Sequence, residues 1–146
     1  MISLQIPEGR FRTRTKDQKK YIFDPVRRRF VFLSPEEWVR QHLISYLTGP
    51  MKYPPSLLSV EKELRLGEET KRCDIVVYDR SGAPWMIVEC KQWDEPLGEK
   101  VLQQAIRYHL AITVKYLLIS NGRDTFCIGL DPVTGHRYLE ALPELE

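Results

Sequence analysis

The stretch "RCDIVVYDRSGAPWMIVECKQW", Arg72 to Trp93, decides the fold. Alternation makes Ile75 to Tyr78 one strand, "DRSG" a turn, and Trp85 to Cys90 a second strand antiparallel to the first. Glu89 and Lys91 are two apart and leave the same face of that second strand. Asp74 opens the first strand, and the hairpin returns it beside the end of the second. Three charged groups are expected together at one end of an apolar sheet, where isolated charge is costly.

The patterns on either side extend this hairpin in both directions. Leu57 to Leu66 reads as a strand with Val60, Leu64 and Leu66 alternating. Upstream, "SPEEWVRQHLISYL" opens with Ser34 as N-cap, Pro35 at the first helical position and Glu37 three residues after the cap. Val39, Leu43, Tyr46 and Leu47 form its apolar stripe, closed by Gly49-Pro50. "YIFDPVRRRFVFL" reads as a hairpin turning near Asp24-Pro25. Downstream, residues 99–112 fit a helix with Val101, Ala105, Tyr108 and Ile112 on one side. "KYLLIS" is a short apolar strand, "NGRD" a turn, and "TFCIGL" and "HRYLEAL" two further strands. Helix, three antiparallel strands, helix and strand, with extra strands at both ends, give an α/β (α+β) fold with a mixed central sheet flanked by helices.

Bulk properties bound the rest. A chain of 146 residues, 42% hydrophobic and 29% charged, can bury a core without metal or disulfide staples. Three cysteines with no C-x-x-C pair read as buried thiols of a cytoplasmic protein. No apolar run reaches membrane-spanning length, and "MISLQIPEGRFRTR" lacks the apolar core of a signal peptide. The net charge of +2 conceals an asymmetry: residues 1–29 hold nine Lys/Arg against three acids. The expected organisation is a basic arm over residues 1–20 and one domain over 21–146. Arg10, Arg12, Arg14, Lys16, Lys19 and Lys20 of that arm suit contact with phosphates.

Asp74, Glu89 and Lys91 form D-x14-E-x-K. Two carboxylates about 4 Å apart repel by roughly 4 kcal/mol at an effective dielectric near 20. A divalent cation resolves that repulsion, and carboxylate oxygens suit Mg²⁺ or Mn²⁺. Asp74 and Glu89 are the expected ligands, and Lys91 is placed to orient an attacking water or to stabilise a phosphoryl group. These are the parts of phosphodiester hydrolysis. The bland alternative is a solvated ion pair, Glu89 with Lys91 or Asp74 with Arg72. Against it, "WMIV" runs directly into Glu89, and Cys90 is apolar between the two charges. Gln104 and Tyr108, four apart, share a helix face with Val101 and Ala105. A glutamine in an apolar stripe wants a polar partner, which a site edge or a DNA phosphate supplies.

The chain resembles the PD-(D/E)xK nuclease superfamily, and more closely the N-terminal nuclease domain of type I restriction enzyme motor subunits in a short stand-alone bacterial form. The runs "EEWVRQHLISYL", "YPPSLLSVEKEL", "KRCDIVVYDRSGAPWMIVECKQ", "QQAIRYHLAI" and "YLLISNG" carry the resemblance, over roughly residues 21–142. It implies a restriction-endonuclease-like core and catalytic and metal-binding roles for Asp74, Glu89 and Lys91. Cys73 stands where the superfamily name has proline, a position that is not a ligand. Gln104 and Tyr108 match the Q-x-x-x-Y element of the recombination helicase-nuclease branch. Glu36 and Glu37 are both candidates for the carboxylate that the first helix often adds. Glu37 is favoured because it matches an E-x-x-R spacing to Arg40, although a capping box also accounts for it. The expected function is a Mg²⁺- or Mn²⁺-dependent endonuclease acting on DNA, with RNA left open as a partner. No membrane contact is expected, and a homodimer would suit cutting of both strands. The alternative is a catalytically silent nucleic-acid-binding or protein-interaction module on the same fold.

Overall fold

The computed structural model describes residues 3–7, 9–110 and 112–145. Three short strands come first: β1 (Thr13–Lys16), β2 (Lys19–Asp24) and β3 (Arg29–Phe32), antiparallel in the order β1-β2-β3. The β1–β2 turn is the pair Asp17-Gln18, both left-handed (φ 52° and 64°), the twist that a two-residue hairpin requires. Asp24 Oδ1 closes the next turn, accepting from the N–H of Val26 (2.7 Å) and of Arg27 (2.9 Å). The stretch expected to be a basic arm therefore contains β1 and the start of β2.

Helix α1 (Pro35–Thr48) begins as its sequence demands: the Ser34 hydroxyl accepts from the Glu37 N–H at 3.0 Å, and Pro35 occupies the first turn. A six-stranded sheet follows, built from β4 (Leu58–Leu66), β5 (Glu69–Tyr78), β6 (Pro84–Cys90), β7 (Tyr116–Ser120), β8 (Thr125–Asp131) and β9 (Gly135–Leu139) in sequence order. Neighbours are antiparallel except β6 and β7, which are parallel because α2 (Glu99–His109) crosses between them. The β5–β6 turn is held by Asp79 Oδ1, which accepts from Ser81 and Ala83, with Gly82 at φ 88° where a side chain would be strained.

The two helices cover opposite faces. Val39, Leu43 and Leu47 of α1 pack with Ile75, Val77, Met86, Val88, Cys90 and Leu118. Leu102, Ala105 and Ile106 of α2 pack with Val76, Ile87, Leu117 and Ile119. From Met86 onward the β6 alternation is regular: Met86, Val88 and Cys90 face α1, Ile87 faces α2, and Glu89 continues the α2 side. Along β5 it breaks, since Cys73 lies in the α2 cluster and Ile75 in the α1 cluster. The β4 partner at this point, Glu61, is left-handed (φ 53°), between the pairs Val60↔Ile75 and Lys62↔Cys73. That local twist turns Asp74 toward α1.

Two details differ from the sequence reading. Helix α2 stops at His109 rather than running to 112, because Ile112, Thr113 and Val114 are β-branched and favour extended backbone. Ile112 is buried all the same, delivered by the loop, while Ala111 lies outside the described residues. The buried stripe of α2 is Leu102, Ala105, Ile106 and His109, which leaves Tyr108 40% exposed. The β4 alternation breaks at Glu61: Val60 packs in the α1 cluster and Leu64 in the α2 cluster, on opposite faces, although both are packed against core; the Leu66 side chain is outside the described set. The three thiols are free and buried, as the sequence suggested.

Candidate active site

The sheet edge where β6 and β7 end carries an unusual density of charge. Arg40 of α1, almost fully buried, donates from Nη1 to Glu37 Oε1 (2.9 Å) and Glu61 Oε1 (3.2 Å), and from Nη2 to Asp74 Oδ1 (3.1 Å). Asp74 Oδ2 accepts the Cys90 backbone N–H at 2.7 Å, which fixes the carboxylate across the open end of the β5–β6 hairpin. Glu37 is shared further. It accepts from Arg27 Nη2 (2.8 Å) and from Gln41 Nε2 (3.2 Å), and Arg27 Nε donates to Asp24 Oδ2 at 2.6 Å. A continuous chain of alternating charge, Asp24–Arg27–Glu37–Arg40–Asp74, thus runs from the three-stranded sheet to the hairpin.

Glu36, one residue before Glu37, takes a different environment. Partial burial and the adjacent Asp74 carboxylate push its own carboxyl above the usual range, with Arg40 and Lys91 near enough to offset part of that effect. Sequence spacing favoured Glu37 as the helix's contribution; the structure binds Glu37 to Arg27, Arg40 and Gln41 and sets Glu36 beside Asp74. Glu61, on β4, completes the edge with ion pairs to Arg40 and to Arg72 (3.4 Å).

Glu89 and Lys91 leave β6 on the α2 side, with Lys91 Nζ 4.0 Å from Glu89 Oε1. Burial favours the neutral acid at Glu89, but His109 and Lys91 outweigh it and hold the carboxyl below its usual value. His109 Nε2 lies 3.8 Å from Glu89 Oε1, beyond hydrogen-bond length. Both His109 ring nitrogens and Glu89 Oε2 are buried without a hydrogen-bond partner. Orphaned polar atoms of this kind cost about 1–3 kcal/mol each, so their concentration at one spot is informative. His109 had a legible signal that spacing between histidines hides: it sits seven residues after Leu102 on the buried stripe of α2.

A groove of ≈ 240 Å³ opens beside these groups, lined by Arg72, Glu89, Lys91, Val101, Gln104, Ala105 and Tyr108. The two helix residues singled out in the sequence thus share one groove with Glu89 and Lys91, and Lys71 Nζ lies 4.1 Å from the Tyr108 ring centroid. Asp74 is brought to the same strand end from the α1 side. Among the described residues no group of three or more His, Cys, Asp or Glu side chains is drawn together as a formed metal cage. The six basic residues of the N-terminal stretch are exposed. Arg12 stacks on Phe23 (4.6 Å) and Arg14 on Phe30 (4.1 Å), so two of these cations are held in place on the small sheet.

The profile of the type I restriction enzyme R protein N terminus (HSDR_N) matches residues 35–145 of the chain. The chain belongs to this family. The match begins at the first residue of α1 and takes in both helices and the whole six-stranded sheet; β1–β3 lie before it. A nuclease-related role and contact with DNA are what the restriction-enzyme family implies. No curated protein matches the chain. No helix among the described residues is long and apolar enough to cross a membrane.

Proposed function

We propose that this restriction-enzyme domain is a metal-dependent nuclease that hydrolyses DNA phosphodiester bonds. The observation that carries the reading is the orphaned, buried Glu89 Oε2 beside Lys91, at the sheet edge where Asp74 and Glu36 crowd together. Hard carboxylate donors with an unsatisfied oxygen fit Mg²⁺ or Mn²⁺, and Mg²⁺ needs only one or two protein carboxylates, completing its shell with water and phosphate. Asp74 and Glu89 are the proposed ligands, and Glu36, in preference to Glu37, is the third carboxylate. When bound, a divalent cation there supplies a lowered pKa for water and positive charge for the phosphoryl oxygens.

The remaining roles belong to the protein's own groups. Lys91 holds the attacking water or a non-bridging oxygen as a point charge, and Glu89 keeps it close. Gln104 and Tyr108, on the groove wall, hold the substrate strand by hydrogen bonds, and Arg72 adds charge at the rim. Exposed Arg10, Lys16, Lys19 and Lys20 contribute phosphate contacts farther out. The Cys90 N–H orients Asp74 and leaves lone pairs on that carboxylate for a cation.

The test is plasmid DNA with Mg²⁺ or Mn²⁺, using Lys91→Ala as control. Cutting by the wild type and none by the variant is expected; equal cutting by both removes Lys91, and with it this site, from the reaction. Independently, Mn²⁺ in hundredfold excess over Kd should stabilise the fold by about 2.7 kcal/mol, and Asp74→Asn should abolish that shift. One observation favours a second reading, a module that binds nucleic acid without cutting: the Arg40 guanidinium already neutralises Asp74. On that reading Mn²⁺ produces no shift, while DNA binding persists and falls steeply between 50 and 200 mM salt.

A further inference from the structure

A second cleft, of ≈ 230 Å³, opens at the same end of the sheet on the α1 side. Its walls are Trp38 and His42 of α1 on one side and Trp93 and Arg123 on the other, over a floor of Val39 and Gly122. Packing accounts for the buried part of Trp38, which meets Phe11 at 5.3 Å and His42 at 4.4 Å between ring centroids, both edge-on. Packing does not account for Trp93, 53% exposed on a loop two residues beyond Lys91. Arg123 Cζ lies 5.4 Å from the Trp93 ring centroid. Gly122, on the floor, has φ 88°, a conformation in which a side chain would be strained.

The cleft is strapped to the candidate catalytic edge. Lys91 N–H donates to the Ser120 carbonyl at 2.8 Å, and Asn121 Nδ2 donates to the Glu95 carbonyl at 2.8 Å. The loop bearing Trp93 and the turn bearing Arg123 therefore hold fixed positions relative to Lys91. A half-exposed indole with a guanidinium over its ring is a pairing that can stack a nucleobase on the exposed side and neutralise its phosphate. Bases inside a duplex are already stacked on their neighbours, so only an unpaired base presents its face to an indole.

We infer that the Trp38–Trp93–Arg123 cleft binds the base of an unpaired nucleotide in the DNA strand held at the active site. This deepens the nuclease reading and rests on it. The substrate class is then DNA with single-stranded character near the scissile bond: a single strand, a flap, a gap or an extruded base.

Fluorescence anisotropy of a labelled oligothymidylate tests this in EDTA, so that no cutting occurs, with a duplex of equal length in parallel. Trp93→Ala should weaken single-strand binding about tenfold, in the range that one stacked base contributes, and leave duplex binding unchanged. Trp93→Phe, which keeps an aromatic face, should recover most of the loss. A side chain this exposed can be replaced without unfolding the chain, and a far-ultraviolet spectrum checks it. Single-strand binding that Trp93→Ala leaves intact, or an equal loss for duplex and single strand, overturns the inference. The two proposals fail separately. Metal-dependent, Lys91-dependent cutting with Trp93-independent binding sinks only the cleft, whereas Trp93-dependent binding without any cutting sinks the nuclease reading, and with it the substrate class, and leaves the cleft as a site for an unpaired base.

Discussion

Replacing Arg40 by methionine probes the charge arrangement most directly. The variant keeps most of the side chain's volume and removes a guanidinium whose side chain is 7% exposed and which bonds three carboxylates. Those carboxylates do not suffer equally. Glu37 retains Arg27 and Gln41, and Glu61 retains Arg72 and a longer pair with Arg27 (3.7 Å). Asp74 keeps only the Cys90 N–H and loses the one cation paired with it among the described residues. Removing one partner of a buried pair costs about 3–5 kcal/mol. The surviving contacts put Arg40→Met near the lower end, about 3 kcal/mol at pH 7, or roughly 6–12 °C in Tm for a domain of this size.

The loss should depend on pH in a definite direction. Burial opposes ionisation of Glu61, but Arg40 and Arg27 together hold its carboxyl below the usual value. Stability from such a group is present above the unfolded carboxyl pKa and disappears as pH falls through the lower folded value. In the variant that contribution is reduced, and acids left without a cation are relieved by protonation. The gap between wild type and variant should therefore be widest at neutral pH and close below about pH 4. Urea unfolding at pH 7 and pH 3, followed by tryptophan fluorescence, measures both. A deficit under 1 kcal/mol at pH 7, or the same deficit at both pH values, would show that Arg40 acts through packing and not through charge.

Three further outcomes follow from individual contacts. Glu36→Gln should raise Tm at pH 7 and leave it unchanged at pH 3: burial and Asp74 raise the Glu36 carboxyl, so its stability contribution is full below the unfolded pKa and is lost as pH rises through the folded one; the same variant should weaken Mn²⁺ binding, measured by calorimetry. Ser34→Ala removes the cap on the Glu37 N–H and should cost about 1 kcal/mol in denaturant unfolding, whereas Ser34→Asn should lose little. Cys73, Cys90 and Cys127 are buried, and burial raises each thiol above its usual pKa, Cys73 to about 11 and Cys127 to about 12; a thiol reagent should titrate none of them at neutral pH until denaturant is added.

Much of this architecture could be read from local chemistry. Ser34-Pro35 and Glu37 announce the start of α1, because a cap is a contact among residues three apart. The β5–β6 hairpin is equally local, with Asp79 and Gly82 dictating the turn. Gln104 and Tyr108 were placed on one face by helical spacing alone, and they share a wall of the groove. What spacing cannot convey is who neutralises whom across long separations. Arg40 and Asp74 are 34 residues apart, and nothing in "CDIVV" announces that β5 breaks its alternation there. The cause sits on another strand, in the left-handed Glu61, a conformation that side chains seldom adopt and that no composition rule assigns to a glutamate. Spacing favours Glu37 over Glu36 but cannot show their surroundings: both share one turn, and the fold places Arg27, Arg40 and Gln41 on Glu37 and Asp74 beside Glu36.

The route from Asp24 to Asp74 has a consequence for how this fold can be dissected. A polypeptide trimmed to begin at Pro35 would keep every strand of the large sheet and both helices, yet would be stripped of Arg27. Glu37 would then have Arg40 as its one cation, shared with Asp74 and with Glu61, of which only Glu61 keeps a second guanidinium, that of Arg72. The boundary of the family match is thus not the boundary that electroneutrality draws, and the small sheet belongs in charge with the acidic end of the large one.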